Sequence, residues 1–208
     1  SLSVLKFDFD FLHLDCVYTF SFHTKLYWVS AMALGLESGV MISMLLFYLT
    51  PSCPRTTKAL AGWMLVATYF LYPSVCTIIF STLNCDTIDG VRYLLADYSI
   101  DCDAAKHVAA KGMANFRIAA FAVGLPVLYL CLLLHARHTS STKEDQMLEF
   151  FHGDYKDEYF YWEVVECGRK LLLTGFSVFF GVGSIMQAML GILVTLFYVI
   201  TMAWLHPY

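Results

Sequence analysis

The chain has 208 residues, 59% of them hydrophobic and 14% charged, with a formal net charge of −4 and a mean hydropathy of +0.63. A water-soluble domain carries about a quarter charged residues, and here the apolar residues come in long runs rather than at alternating positions, which argues for a membrane-embedded chain. The mildly acidic balance and the absence of a basic block argue against nucleic acid as a partner.

The N-terminal stretch KFDFDFLHLD alternates Phe7, Phe9 and Phe11 with Lys6, Asp8 and Asp10. It is too short and too charged to span, so residues 1–24 are expected to lie as an amphipathic segment on the membrane surface. Residues 25–208 then read as an all-α polytopic bundle of about five spanning helices, over 26–49, 59–83, 113–134, 159–182 and 185–205. Each is long and apolar enough to span a hydrocarbon core, which needs roughly 20 residues. Pro73 and Pro126 fall inside the second and third helices and predict kinks there, because proline removes a backbone donor. Gly181, Gly183 and Ser184 leave only a tight turn between the last two helices, which predicts an antiparallel hairpin.

Between the second and third helices, residues 84–112 form an aqueous loop or cap holding Cys85 and Cys102. Lys and Arg divide almost evenly between the two sides, so side is assigned by cysteine. Cys16, Cys85 and Cys102 share one set of aqueous segments, and disulfides persist outside the cytosol. That side is expected to be extracellular or lumenal, with Cys85 paired to Cys102 and Cys16 as the competing partner. The segment between the two cysteines is expected to fold as a helical or looped cap.

Six charged residues fall within or at the mouths of apolar runs: Glu37, Arg117, Glu163, Glu166, Arg169 and Lys170. Glu37 is near the middle of the first helix, where a carboxylate costs at least a few kcal/mol unless paired, protonated or hydrated. Arg117, Arg169 and Lys170 are its candidate partners. In YWEVVECGRKLLLTGF only about a dozen apolar residues follow Lys170, or roughly 20 Å of helix against a core of about 30 Å. Arg169 and Lys170 therefore start below the interface, and Glu166 is the carboxylate at i,i+3 and i,i+4 spacing from them. Ala31, Gly35 and Gly39 recur every four residues on another face of the first helix, a spacing that permits close helix approach. His135 and His138 lie at i,i+3 with no third ligand nearby and read as interface residues. No phosphate loop, zinc spacing or nucleophile–base set is visible, so neither an enzyme nor a cofactor is expected.

The motifs YPSVCTIIFSTLNCD, DGVRYLLADYSIDC with His107 following, GLPVLYLCLL and YFYWEVVECGRKLLLTG together span most of the chain. As a set they resemble the multi-pass membrane region of algal and protist TRP-like cell-surface proteins, which often carry EGF-like or ephrin-receptor-like Cys-rich ectodomains. The resemblance implies a membrane anchor and transducer region in a plasma or ciliary membrane, with a TRP-like cation channel subunit as the alternative. Its implied partners are the lipid bilayer and extracellular or neighbouring membrane subunits, in a homo- or hetero-oligomer. Beginning at Ser1 and ending at Pro207-Tyr208 after an apolar helix, the chain is expected to be a piece of a longer protein.

Overall fold

A computed structural model describes residues 21–49, 54–139, 156–180 and 184–207. The expectations for the Phe/Asp alternation near the N-terminus, for Cys16 and Cys53, and for the glycines at 181 and 183 lie outside the described residues. Helix α1 (Phe22–Leu49) and helix α2 (Pro54–Ser81) pack along most of their length. A sheet follows, made of β1 (Cys85–Ile88), β2 (Val91–Leu94) and β3 (Asp97–Asp101). Next come α3 (Ala105–Arg117), a π-helical stretch (Ile118–Val123) and α4 (Gly124–Thr139). After a 3-10 turn (Asp157–Tyr159) the chain runs through α5 (Trp162–Lys170), a π turn (Leu171–Gly175) and a 3-10 turn (Phe176–Phe180) to α6 (Ile185–Leu205).

Among the described residues, four helical segments are long and apolar enough to cross a membrane: Phe22–Leu46, Thr56–Ser81, Ala105–His135 and Ile185–Leu205. The outward faces carry the evidence for what surrounds them. Trp28, Met41, Trp63, Phe70, Phe116, Phe197 and Trp204 are all more than 60% exposed, a load of apolar surface that a monomer in water does not carry. The chain is an all-α integral membrane protein with a small β cap.

The core is built by heptad-like stripes. On α1 the inward positions are Leu26, Ser30, Ala33, Glu37, Val40 and Met44, and on α2 they are Ala61, Leu65, Thr68, Tyr72, Val75 and Ile79. Residues three and four apart share a helix face, so each stripe closes on the other. On α3 the stripe is His107, Ala110, Ala114 and Arg117, continued by Phe121. Glu37 and Arg117 therefore sit on packing faces, and their contact follows from the pattern. The Ala31, Gly35, Gly39 row differs from expectation. Ala31 and Gly35 point outward, and only Gly39 approaches α2, at Met64.

The third expected span is longer than hydropathy indicates, because α3 begins within the cap at Ala105. Its π-helical stretch lies just ahead of Pro126, which cannot donate to the carbonyl of Ala122. The Tyr72 hydroxyl supplies that missing bond, donating to the Ala122 oxygen at 2.6 Å. The Tyr72 ring also stacks on Phe121. Replacing Tyr72 with Phe keeps the ring and strands the carbonyl. The expected result is a loss of about 1–3 kcal/mol, read as a lower Tm in detergent.

The fourth expected span, over 159–182, is not one regular helix. It divides into α, π and 3-10 pieces because α2 dictates its path. A side chain at Gly175 would meet the Phe80 ring at 2.7 Å, so the backbone packs directly on that ring. Asn84 then holds the Val178 carbonyl at 2.6 Å, and Phe179 meets Phe80 edge-on. Irregular backbone is tolerated at membrane depth where protein covers it. The backbone N–H of Lys156 donates to the Pro207 carbonyl at 2.9 Å, so the start of this segment meets the end of α6. That contact makes the pair antiparallel, as expected.

The 84–112 segment is also corrected. It is neither loop nor helical cap, but a three-stranded antiparallel meander followed by the first turns of α3. Ile88 faces Val91 across Asp89 and Gly90, which have φ of 51° and 84°. Two consecutive left-handed residues are what a type I′ hairpin turn needs, and Asp-Gly provides them at low cost.

Candidate functional site

Two polar constellations stand out, one under the cap and one at the opposite end, with a buried ion pair between helices as a third feature. Under the cap, Cys85 and Cys102 are disulfide-bonded with Cα atoms 6.5 Å apart, as expected from the sequence. Cys102 is fully buried and its N–H donates to the Arg92 carbonyl, tying the strand end to β2. His107, also fully buried, places Nδ1 3.4 Å from Nε2 of His23, with the rings edge-to-face. This contact joins α1 to α3 across 84 residues of sequence.

Asp97 adds a second link. Its carboxylate accepts from the Ser99 hydroxyl at 2.6 Å and the Ser99 N–H at 3.1 Å, and from the Phe22 N–H at the start of α1. The Ser99 hydroxyl first, then the backbone donors, hold its carboxyl below the usual carboxylate range. A depressed carboxylate stabilises the fold above its unfolded pKa, and that contribution is lost as pH falls through the lowered folded value. The protection against hydrogen exchange at the first turn of α1, relative to the intrinsic rate at each pH, is expected to fall on acidification through that range. In Asp97→Asn it is expected to be low already at neutral pH.

Between the helices, Arg117 donates to Glu37 at 3.0 Å. The Arg117 side chain is 5% exposed and that of Glu37 23%. Of Glu37's three candidate partners the structure selects Arg117. One carboxylate oxygen of Glu37 (Oε1) and Nε of Arg117 are buried without a hydrogen-bond partner. Phe116 lies 5.7 Å from the guanidinium, within cation–π range.

At the far end, the remaining four expected residues gather on α5. Glu166 accepts twice from Arg169, at 2.7 and 3.0 Å on one oxygen. The Arg169 guanidinium also lies 4.7 Å from the Tyr198 ring of α6. Lys170 does not pair with Glu166. Its ammonium sits 3.4 Å from the centre of the Tyr69 ring. Glu163, mostly buried, hydrogen-bonds the Tyr69 hydroxyl. The six charges thus fall into separate contacts, not one cluster: Glu37 with Arg117, Glu166 with Arg169 and Tyr198, and Glu163 and Lys170 with Tyr69. Tyr69 and Tyr198 complete two of these contacts, and His23 and His107 make their own under the cap. Sequence reasoning did not assign them roles, because each meets its partner across at least 29 residues of chain.

Glu166→Gln removes a charge-assisted pair and leaves Arg169 with only an aromatic face. It is expected to cost about 1–3 kcal/mol. Glu158, exposed on the turn before α5, is the comparison, and Glu158→Gln is expected to leave the Tm unchanged.

Comparison with known proteins finds no match: no family model, curated protein or solved structure is similar to the chain. The resemblance to protist cell-surface proteins rests on the motifs alone.

Proposed function

We propose that this chain is a non-enzymatic membrane anchor and transducer region of a larger cell-surface protein, in the plasma or a ciliary membrane, with the β cap on the outer side. The observation that carries this reading is the double attachment of the cap. The same disulfide-closed sheet runs directly into α3 and holds the first turn of α1 through Asp97 and the His23–His107 contact. A force on the hairpin tip at Asp89 would therefore reach two spanning helices at once. Single-cysteine labelling of the full chain in sealed vesicles tests the arrangement. A cysteine at Asp89 should react with a membrane-impermeant maleimide from outside only, and one at Glu158 from inside only. The opposite pattern defeats the reading.

The second reading is a TRP-like cation channel subunit, and the Glu37–Arg117 pair is the observation that favours it. A carboxylate oxygen left unpartnered at membrane depth is where a polar path between helices would begin. Reconstituted chain that conducts cations, with conductance lost in Glu37→Gln, would favour this reading over the first. A neighbouring subunit would then complete the pore.

A further inference from the structure

The disulfide under the cap does not stand alone. Ligand atoms of Cys85, Cys102 and His107 all lie within 4.8 Å of one another. Cys102 and His107 are fully buried and Cys85 is partly so. His107 has one ring nitrogen, Nε2, buried with no hydrogen-bond partner, while its other nitrogen faces His23. A neutral imidazole holds one proton. If Nδ1–H donates to Nε2 of His23, then Nε2 of His107 carries a bare lone pair. Among the described residues no hydrogen-bond partner meets Nε2.

We propose that on reduction this site becomes a thiolate–imidazole metal centre, with Cys85, Cys102 and His107 as ligands to one zinc-like divalent ion. Two electrons and two protons from a dithiol reductant open the Cys85–Cys102 bond, yielding two thiols and the reductant's own disulfide. The metal ion then binds both sulfurs and the His107 nitrogen, and the two thiol protons pass to water. Zinc–sulfur and zinc–nitrogen bonds of about 2.3 and 2.0–2.1 Å set these ligand atoms about 3.5–3.8 Å apart in a tetrahedral site. The three ligand atoms are already inside 4.8 Å, so side-chain movements suffice once the sulfurs part. Two thiolates with an imidazole select zinc over magnesium or calcium. His23 is the positioning residue: it fixes the ring and tautomer of His107, as a hydrogen-bond partner commonly does behind a metal-bound histidine. Asp97 stands behind His23 in turn. The fourth position is left to water. The cap would then have two alternative braces, a covalent one when oxidised and a metal one when reduced.

The test uses the full chain in nanodiscs, reduced with a phosphine, freed of it under argon and titrated with Co2+. One equivalent of Co2+ per chain should give a tetrahedral visible spectrum with thiolate charge transfer, displaced by Zn2+. The oxidised chain should give none. Cys76, Cys131 and Cys167 are free thiols in the helices, so Cys85→Ser/Cys102→Ser is the control that keeps them. It should lose the spectrum, and His23→Gln should weaken Co2+ about 10–100-fold. His107→Gln should weaken it at least as much. If that variant does not fold, Cys102→Ser alone takes its place and should lose half the charge-transfer intensity or more. No spectrum from the reduced wild type, or an unchanged one from the double serine variant, overturns the proposal.

Discussion

Replacing Glu37 with Gln while leaving Arg117 in place is expected to be the most damaging single change in the bundle, costing about 3–5 kcal/mol. The pair is buried, and a guanidinium left alone cannot shed its charge, because arginine stays protonated under all ordinary conditions. The reciprocal change, Arg117→Met, is expected to cost less. The side chain then left unpaired is that of Glu37, the less buried of the two, at 23% exposed against 5% for Arg117. The double variant Glu37→Gln/Arg117→Met should recover most of the loss, since both groups are then uncharged. Thermal unfolding of the four proteins in one detergent checks the order. Equal losses for the two single variants would mean that water reaches the pair and that its burial contributes little.

The second large effect concerns the cap. Cys85→Ser/Cys102→Ser opens a loop closed over a sequence separation of 17, for which chain entropy gives about 3 kcal/mol. A three-stranded sheet of four- and five-residue strands has little burial of its own beyond Leu94 and Cys102. The expected result is therefore local: proteolysis within 85–101 at protease levels that leave the oxidised wild type whole, with the helical far-ultraviolet signal intact. Loss of the helical signal as well would mean that the bundle depends on the cap for its own stability.

Much of the molecule was legible in the sequence. The existence of four of the spans follows from run length, and the last coincides at both ends with the expected 185–205, whereas the third starts earlier than its apolar run, at Ala105. That Glu37 and Glu166 need partners was legible, because a charge in an apolar run is costly alone, but the choice of Arg117 among three candidates and of Arg169 over Lys170 was not. The fourth span was misread because its path is set by Phe80 and Asn84 on α2, a tertiary constraint that hydropathy does not carry. The sheet was missed although its signal was present: Asp89-Gly90 between VRYL and CDTI marks a hairpin. Its strands are too short to show alternation beside the long apolar runs. The His23–His107 contact had no signal, since neither residue's local pattern points to the other.

These features share one premise, that cap and helices act as a coupled unit. Hydrogen exchange on the full chain in nanodiscs, compared before and after metal-free reduction of the disulfide, tests it most directly. Faster exchange is expected within 85–101 and also in the first turn of α1 and over 105–110 of α3, where Asp97, His23 and His107 make their contacts. Faster exchange confined to the strands, with α1 and α3 unchanged, would contradict it.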